Sequence, residues 1–174
     1  QVTPAIFNYI IMKLLLTILI TYIIVSFFGY LAHKALHQKW SGKYNKSHMT
    51  HHIKLYPANN YTSETYRDAG KDDAIWFFIV ISIPVILFPI LLGIIGLPIH
   101  LVITSILEML ILAFSNNYIH YAYHINNHWL TKIPLLSKIF NKFKYLHFIH
   151  HKNMQKNLGI FDFTWDFLLK TLKK

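Results

Sequence analysis

Three long runs of apolar residues divide the chain, and polar segments rich in histidine fill the intervals. The first run covers roughly 5–32, and its part after Lys13, LLLTILITYIIVSFFGYLA, carries no charge. About 20 apolar residues rising 1.5 Å each cross the hydrocarbon core of a bilayer. The second run is AIWFFIVISIPVILFPILLGIIGLP, Ala74 to Pro98, and the third is IHLVITSILEMLILAFSNNYIHYAYH, Ile99 to His124. Between them GIIGLP has no charge and two turn-forming residue types, which predicts a tight helical hairpin that crosses and returns. Pro84 and Pro89 are expected to kink the second span, a distortion that membrane helices tolerate. The expected fold is all-α and integral to the membrane. About three transmembrane helices, one plus a hairpin, occupy 5–32, 74–97 and 99–120. A helical cap is formed by 33–73 and 121–174, and the whole chain makes one membrane domain. A soluble protein with very apolar core helices is the competing reading; runs this long and uncharged argue against it.

Composition agrees and adds a direction. The chain has 174 residues, 54% of them hydrophobic, a formal net charge of +10 and no cysteine. Disulfides, thiolate zinc sites and iron–sulfur clusters are therefore excluded. Of 17 basic residues, Lys13 alone precedes the uncharged run; the other sixteen lie in 33–73 or after His124. With three crossings, both of those segments fall on one side, which the positive-inside rule makes cytoplasmic. The basic excess thus reads as a topology and membrane-surface signal, and nucleic acid is not expected as a partner. The chain opens on Gln1 rather than methionine, so its natural start is expected upstream and no targeting segment is read from it.

The histidines follow a two-then-three pattern that occurs twice: HKALH (His33, His37), HMTHH (His48, His51, His52), HYAYH (His120, His124) and HFIHH (His147, His150, His151). Residues three and four apart share one helix face, so each cluster is expected to aim its imidazoles in one direction. All ten fall on the same expected side of the membrane. Ten nitrogen ligands exceed the needs of one ion and suit two ions of about five ligands each. One HxxxH pair alone means little; four in alternating format indicate a metal site. His100 and His128 fit no cluster. A zinc protease of the H-E-x-x-H type needs a glutamate after its first histidine, and here Lys34, Met49, Tyr121 and Phe148 stand there. Imidazole suits iron as well as zinc, and a pair of irons activates dioxygen for attack on C–H bonds.

Around the clusters, Asn117, Asp162 and Asp166 are candidates to orient a ligating histidine through its second ring nitrogen. Glu108 is the one acidic residue inside a span, and intramembrane carboxylates are costly and often functional. Tyr118, Tyr121 and Tyr123 read as an interfacial aromatic belt.

From about Tyr30 to Thr171 the chain resembles the fatty acid hydroxylase and sterol desaturase superfamily of membrane di-iron oxidoreductases. The four His motifs carry the likeness. The tail HFIHHKNMQKNLGIFDFTWDFLLKT supports it, with Asn157, Gly159, Trp165, Asp166 and Thr171 at the family's positions. Where the family has Phe-Gly before the threonine, this chain has Leu169-Lys170, which puts the local turn in question. The resemblance implies that the ten clustered histidines are metal ligands for two iron ions, which zinc can replace in a purified sample. It also implies O2 as oxidant, a lipid substrate reached from within the membrane, and electrons from a b-type cytochrome or other carrier with its reductase. The expected activity is hydroxylation of a fatty-acyl chain, with sterol desaturation or methyl oxidation as the alternative. A membrane metal-binding or transport protein is the alternative of another class. The expected location is the endoplasmic reticulum in a eukaryote or the inner membrane in a bacterium.

Overall fold

A computed structural model describes residues 4–69 and 72–174; Gly70 and Lys71 of the expected cap lie outside them. The chain is 73% helical, and among the described residues there are no strands, only one backbone bridge joining Ser63 and Ile125. Helix α1 spans Pro4–Leu36, α2 Lys43–Thr50, α3 Asp72–Ile94, α4 Ile99–Tyr123, α5 Pro134–Lys152 and α6 Thr164–Leu168. A π-helical turn, His51–Leu55, continues α2 directly.

Helices α1, α3 and α4 pack on one another. Val25 and Ala32 of α1, Ile81 of α3, and Met109 and Ala113 of α4 form their shared core. Around that core the apolar residues face outward: Leu15, Leu16 and Leu19 on α1, Ile86 and Leu87 on α3, and Leu107 and Ile111 on α4 are exposed. Water would penalise this arrangement by roughly 25 cal/mol for each Å² of apolar surface; lipid does not. Helices α1 and α4 are long and apolar enough to cross a membrane, and Phe78–Ile94 of α3 is a shorter apolar helix. Pro84 and Pro89 lie inside α3 without interrupting it.

The predicted hairpin turn is present. Gly96 takes φ +75°, the left-handed conformation that glycine adopts at no steric cost. The Leu97 amide then donates to the Leu92 carbonyl and the Gly96 amide to that of Gly93, which satisfies the last carbonyls of α3.

Both α1 and α4 run past the expected ends of their spans, to Leu36 and Tyr123 rather than Ala32 and His120. They therefore carry His33 and His120 into the cap on continuous helix. The open carbonyls at the end of α1 find partners: Trp76 Nε1 donates to Ala32 (3.1 Å), Ser41 Oγ to Ala35 (3.0 Å) and Asn45 Nδ2 to Leu36 (2.7 Å). These bonds fix the direction in which HKALH leaves the bundle.

Candidate metal centre

All ten clustered histidines meet in one place, in two sets of five. His33, His37, His48, His52 and His150 form the first; His51, His120, His124, His147 and His151 form the second. Within each set the ligand nitrogens lie within 4.8 Å of one another. His51, His124, His147 and His150 expose no surface at all.

The sets do not follow the sequence clusters. Each pair stays together, but each triplet divides. His48 and His52 join the first set while His51 joins the second; His147 and His151 join the second while His150 joins the first. Helix geometry explains the division. At 3.6 residues per turn, residues three and four along point about 100° apart, so one triplet faces two centres rather than one. The π-helical turn begins at His51, where the Tyr56 amide donates to the His51 carbonyl five residues back; such turns recur where a helix must re-aim functional side chains. His52 and His151 stack at 4.1 Å where the sets adjoin.

The ring nitrogens suit a cation. In the first set, Nε2 of His37 lies 3.1 Å from that of His150 and 3.2 Å from that of His48, which lies 3.1 Å from that of His52. In the second, Nε2 of His124 lies 3.1 Å from those of His51 and His147, and His147 is 3.1 Å from His151. Four Nδ1 atoms donate to backbone carbonyls: His33 to Leu158 (2.6 Å), His150 to Lys156 (2.8 Å), His124 to Tyr61 (2.7 Å) and His151 to Tyr56 (2.7 Å). A neutral imidazole that donates from Nδ1 presents a bare lone pair at Nε2. His147 Nε2 thus sits equally close to two bare lone pairs, and one N–H cannot serve both. A cation at the centre serves every ring. Edges of 3.1 Å match nitrogens about 2.1 Å from a common ion and about 95° apart. His33 Nε2 and His120 Nε2 are buried without a hydrogen-bond partner, as a ligand atom is when no proton donor competes for it.

Burial also sets the protonation state. It holds His51, His52, His124, His147 and His150 well below the usual imidazole range, with further lowering by neighbouring histidines. Burial likewise pushes His37 down to about 2 and His151 to about 4. Neutral imidazole is the form that ligates.

The other candidates fall elsewhere. Neither Asp162 nor Asp166 accepts from a histidine ring. Asp166 is buried and accepts from the Leu158 amide (2.8 Å), the Gly159 amide (2.7 Å) and Thr171 Oγ1 (2.6 Å), so it holds the loop whose Leu158 carbonyl orients His33. Asp162 accepts from Tyr22 and Ser26 of α1 and from the Thr164 amide. Asn117 is half-buried on α4, three residues before His120. The acceptors on ring nitrogens are main-chain carbonyls, which every residue carries and which therefore leave no signal in sequence.

The family's tail motif has a physical reading here. A Cβ on Gly159 would collide with the Asp162 carbonyl and lie 2.9 Å from Asp166 Oδ2. Asn157 is buried with φ +53°, and its side chain bonds the Leu146 and Lys173 carbonyls and the Lys173 amide. The turn placed in question by Leu169-Lys170 forms: the Thr171 and Leu172 amides donate to the Asp166 carbonyl, with Lys170 left-handed at φ +58°. Tyr123 is buried rather than belt-like, and its hydroxyl donates to the Ile160 carbonyl (2.9 Å). His128 joins neither set; its Nδ1 accepts from the Leu130 amide and caps the short turn Trp129–Lys132. Glu108 lies twelve residues before His120, about 18 Å down α4 from the histidines.

Comparison with known proteins agrees with the geometry. Neither the curated proteins nor the solved structures yield a match to the chain. The profile of one family, described as fatty acid hydroxylase, matches residues 18–171, which include both sets of histidines, the helical segments next to them and the tail loop with Asn157, Gly159 and Asp166; the chain belongs to the fatty acid hydroxylase family.

Proposed function

We propose that this protein is an O2-dependent lipid hydroxylase that holds one iron ion in each set of five histidines and oxidises a C–H bond of a fatty-acyl chain. The supporting observation is the double pentad: ten imidazoles, eight buried and His37 and His120 half-buried, gathered at one end of an apolar bundle. Iron bound there supplies two-electron activation of dioxygen. The reaction consumes one O2, two electrons and two protons, replaces C–H by C–OH and releases one water. The electrons come from a separate carrier, a b-type cytochrome or its equivalent, which approaches from the basic, cytoplasmic face.

The chain's own residues do the rest. Four carbonyls lock ring tautomers so that Nε2 faces inward. Burial keeps bulk water out and the imidazoles unprotonated. The ends of α1 and α4 bring His33 and His120 to the edge of the lipid-facing bundle, where a chain arrives from the membrane without crossing water. A metal transporter would place its ligands within the spans near the midplane; these gather at the ends of the spans, which favours oxidation.

The test is expression in a host lacking such an activity, followed by lipid mass spectrometry with the wild type and with His51→Ala. A gain of one oxygen on acyl chains, absent in the variant, supports hydroxylation. A loss of two hydrogens assigns desaturation instead. Unchanged lipids alongside metal flux in proteoliposomes would replace the proposal with transport.

A further inference from the structure

A file of aromatic rings leads from the second set of histidines to the surface. The Tyr66 ring lies 6.4 Å from that of His51 and 6.3 Å from that of His124. Tyr66 meets Tyr121 at 4.9 Å, and Tyr121 stacks on Tyr118 at 6.1 Å. Trp129 Nε1 then donates to the Tyr118 hydroxyl (2.6 Å). The outer rings are open: Trp129 is 51% exposed, Tyr118 43% and Tyr121 38%. The ring separations are those of aromatic groups in direct contact.

The residue types matter as much as the spacing. Phenol and indole rings give up one electron to a strong oxidant and take it back; a phenyl ring does not. Other aromatic contacts of the second set lack this continuity among the described residues. Tyr123 lies 5.4 Å from His147 but leads on to Phe140. Tyr56 stacks on His124 at 4.1 Å, but the Arg67 guanidinium sits 5.4 Å from its ring centroid. A cation over a ring face holds the ring's electrons more tightly, and the onward ring contact of Tyr56 is Tyr66 itself (5.5 Å). Tyr66, Tyr121, Tyr118 and Trp129 are oxidisable without a break. An interfacial belt accounts for aromatic residues at the end of a span; it does not call for a file that runs inward to His51 and His124.

We propose that this file is an electron relay that quenches an oxidising equivalent formed at the second set when no lipid is there to be attacked. The inference rests on the proposed iron and O2 chemistry for the oxidant. It goes beyond that reading by giving the protein a second activity, the peroxide-driven oxidation of small one-electron donors at Trp129. Electrons move inward from the donor through Trp129, Tyr118, Tyr121 and Tyr66, and each ring ends as it began. With hydrogen peroxide as oxidant and ascorbate monoanion as donor, one H2O2 and two ascorbates give two waters and two ascorbyl radical anions. The O–O bond breaks and takes up two electrons and two protons; each ascorbate supplies one of each. The +10 net charge of the chain favours an anionic donor. A carrier that reduces the resting centre has no use for these rings, which yield an electron only to a strong oxidant.

The test uses the full chain in detergent, loaded with iron or with zinc, without lipid substrate. Hydrogen peroxide is added, the sample is frozen, and aromatic radicals are read by electron paramagnetic resonance; peptide mass spectrometry then locates oxidised side chains. The iron-loaded wild type should show tyrosyl and tryptophanyl radicals and should oxidise ascorbate. Its Trp129 should gain oxygen ahead of Trp40, although Trp40 is the more exposed at 71%. The zinc-loaded protein should do none of this. In Tyr121→Phe, at unchanged iron content, oxidation of Trp129 and of ascorbate should fall to the zinc level. Tyr121→Trp should restore both, which a packing role alone would not achieve. Undiminished oxidation of Trp129 in Tyr121→Phe, or heavier oxidation of Trp40 than of Trp129 in the wild type, would overturn the inference. Acyl chains hydroxylated by an iron-loaded protein that forms no aromatic radical with peroxide would overturn it and leave the oxidase reading standing. Radicals and surface oxidation in a protein that oxidises no lipid would sustain it and remove the oxidase reading instead.

Discussion

Two loops orient the rings, and they do it by different means. The loop after the second triplet, 153–160, supplies the Lys156 and Leu158 carbonyls that hold His150 and His33 of the first set. The loop after the first triplet, 56–69, supplies the Tyr56 and Tyr61 carbonyls that hold His151 and His124 of the second. Each set is thus steered by the loop that follows the triplet giving it only one ligand. The later loop is braced by dedicated side chains: Asp166 on two consecutive amides, Asn157 on three main-chain groups, and Gly159 where no Cβ fits. The earlier loop combines side-chain bonds, Arg67 to the Leu55 carbonyl, Ser63 to the Thr65 carbonyl and Asn126 to Glu64, with backbone pairing and aromatic packing. The Ser63 amide donates to the His124 carbonyl, the Asn126 amide donates to the Ser63 carbonyl, Tyr56 stacks on His124 at 4.1 Å, and the Tyr56 hydroxyl accepts from the Arg67 amide. The lesson is that one task, placing two carbonyls against two imidazoles, is done in one loop by buried side chains on its main chain and a glycine where no Cβ fits, and in the other by a mixture of side-chain bonds, backbone pairing and ring stacking.

The largest expected effect breaks the symmetry between the sets. His150→Ala should remove the metal of the first set and His51→Ala that of the second, each leaving about one ion per chain by elemental mass spectrometry and each reducing product to background. Loss of both ions in both variants would show that the sets do not load independently. Next, Gly159→Ala should disrupt the later loop. Overpacking costs about 1–3 kcal/mol, which in a chain of this size lowers Tm by roughly 2–4 °C per kcal/mol, with the first set losing metal affinity before the second. Asp166→Asn should act in the same direction, weakening metal binding at the first set by about 10–100-fold, as outer-shell changes do; equal weakening of both sets would contradict the division of labour. Tyr56→Phe leaves the stacking and removes the acceptor of the Arg67 amide. An unpaired buried N–H costs about 1–3 kcal/mol, and titration with metal should show the deficit at the second set. The smallest effect is a gain. Lys170→Gly relieves a left-handed residue and should raise Tm by a few degrees at unchanged metal content, since the left-handed conformation costs a non-glycine residue about 1–2 kcal/mol.

Those differences also mark what could be read in advance. Asn157, Gly159, Asp166 and Thr171 were visible because each does something that few other side chains can do. The role expected of Asp166 was one bond too short: it holds the carbonyl's loop, not the imidazole. Asp162 was expected beside the histidines and instead ties the tail to Tyr22 and Ser26, a contact spanning 140 and 136 positions. Tyr56, Tyr61, Lys156 and Leu158 gave no sign, since what each offers an imidazole Nδ1 is a main-chain carbonyl.

The sequence by itself determined that this chain is helical, apolar enough for lipid, and equipped with ten histidines at helical spacing, because hydrophobic run length and residue spacing are local properties. Only the tertiary structure decided which five histidines gather in which set. Residues three and four along a helix diverge by about 100°, so His51 and His150 leave their own clusters, and the centres they join are made by helices that meet only when the whole bundle has packed.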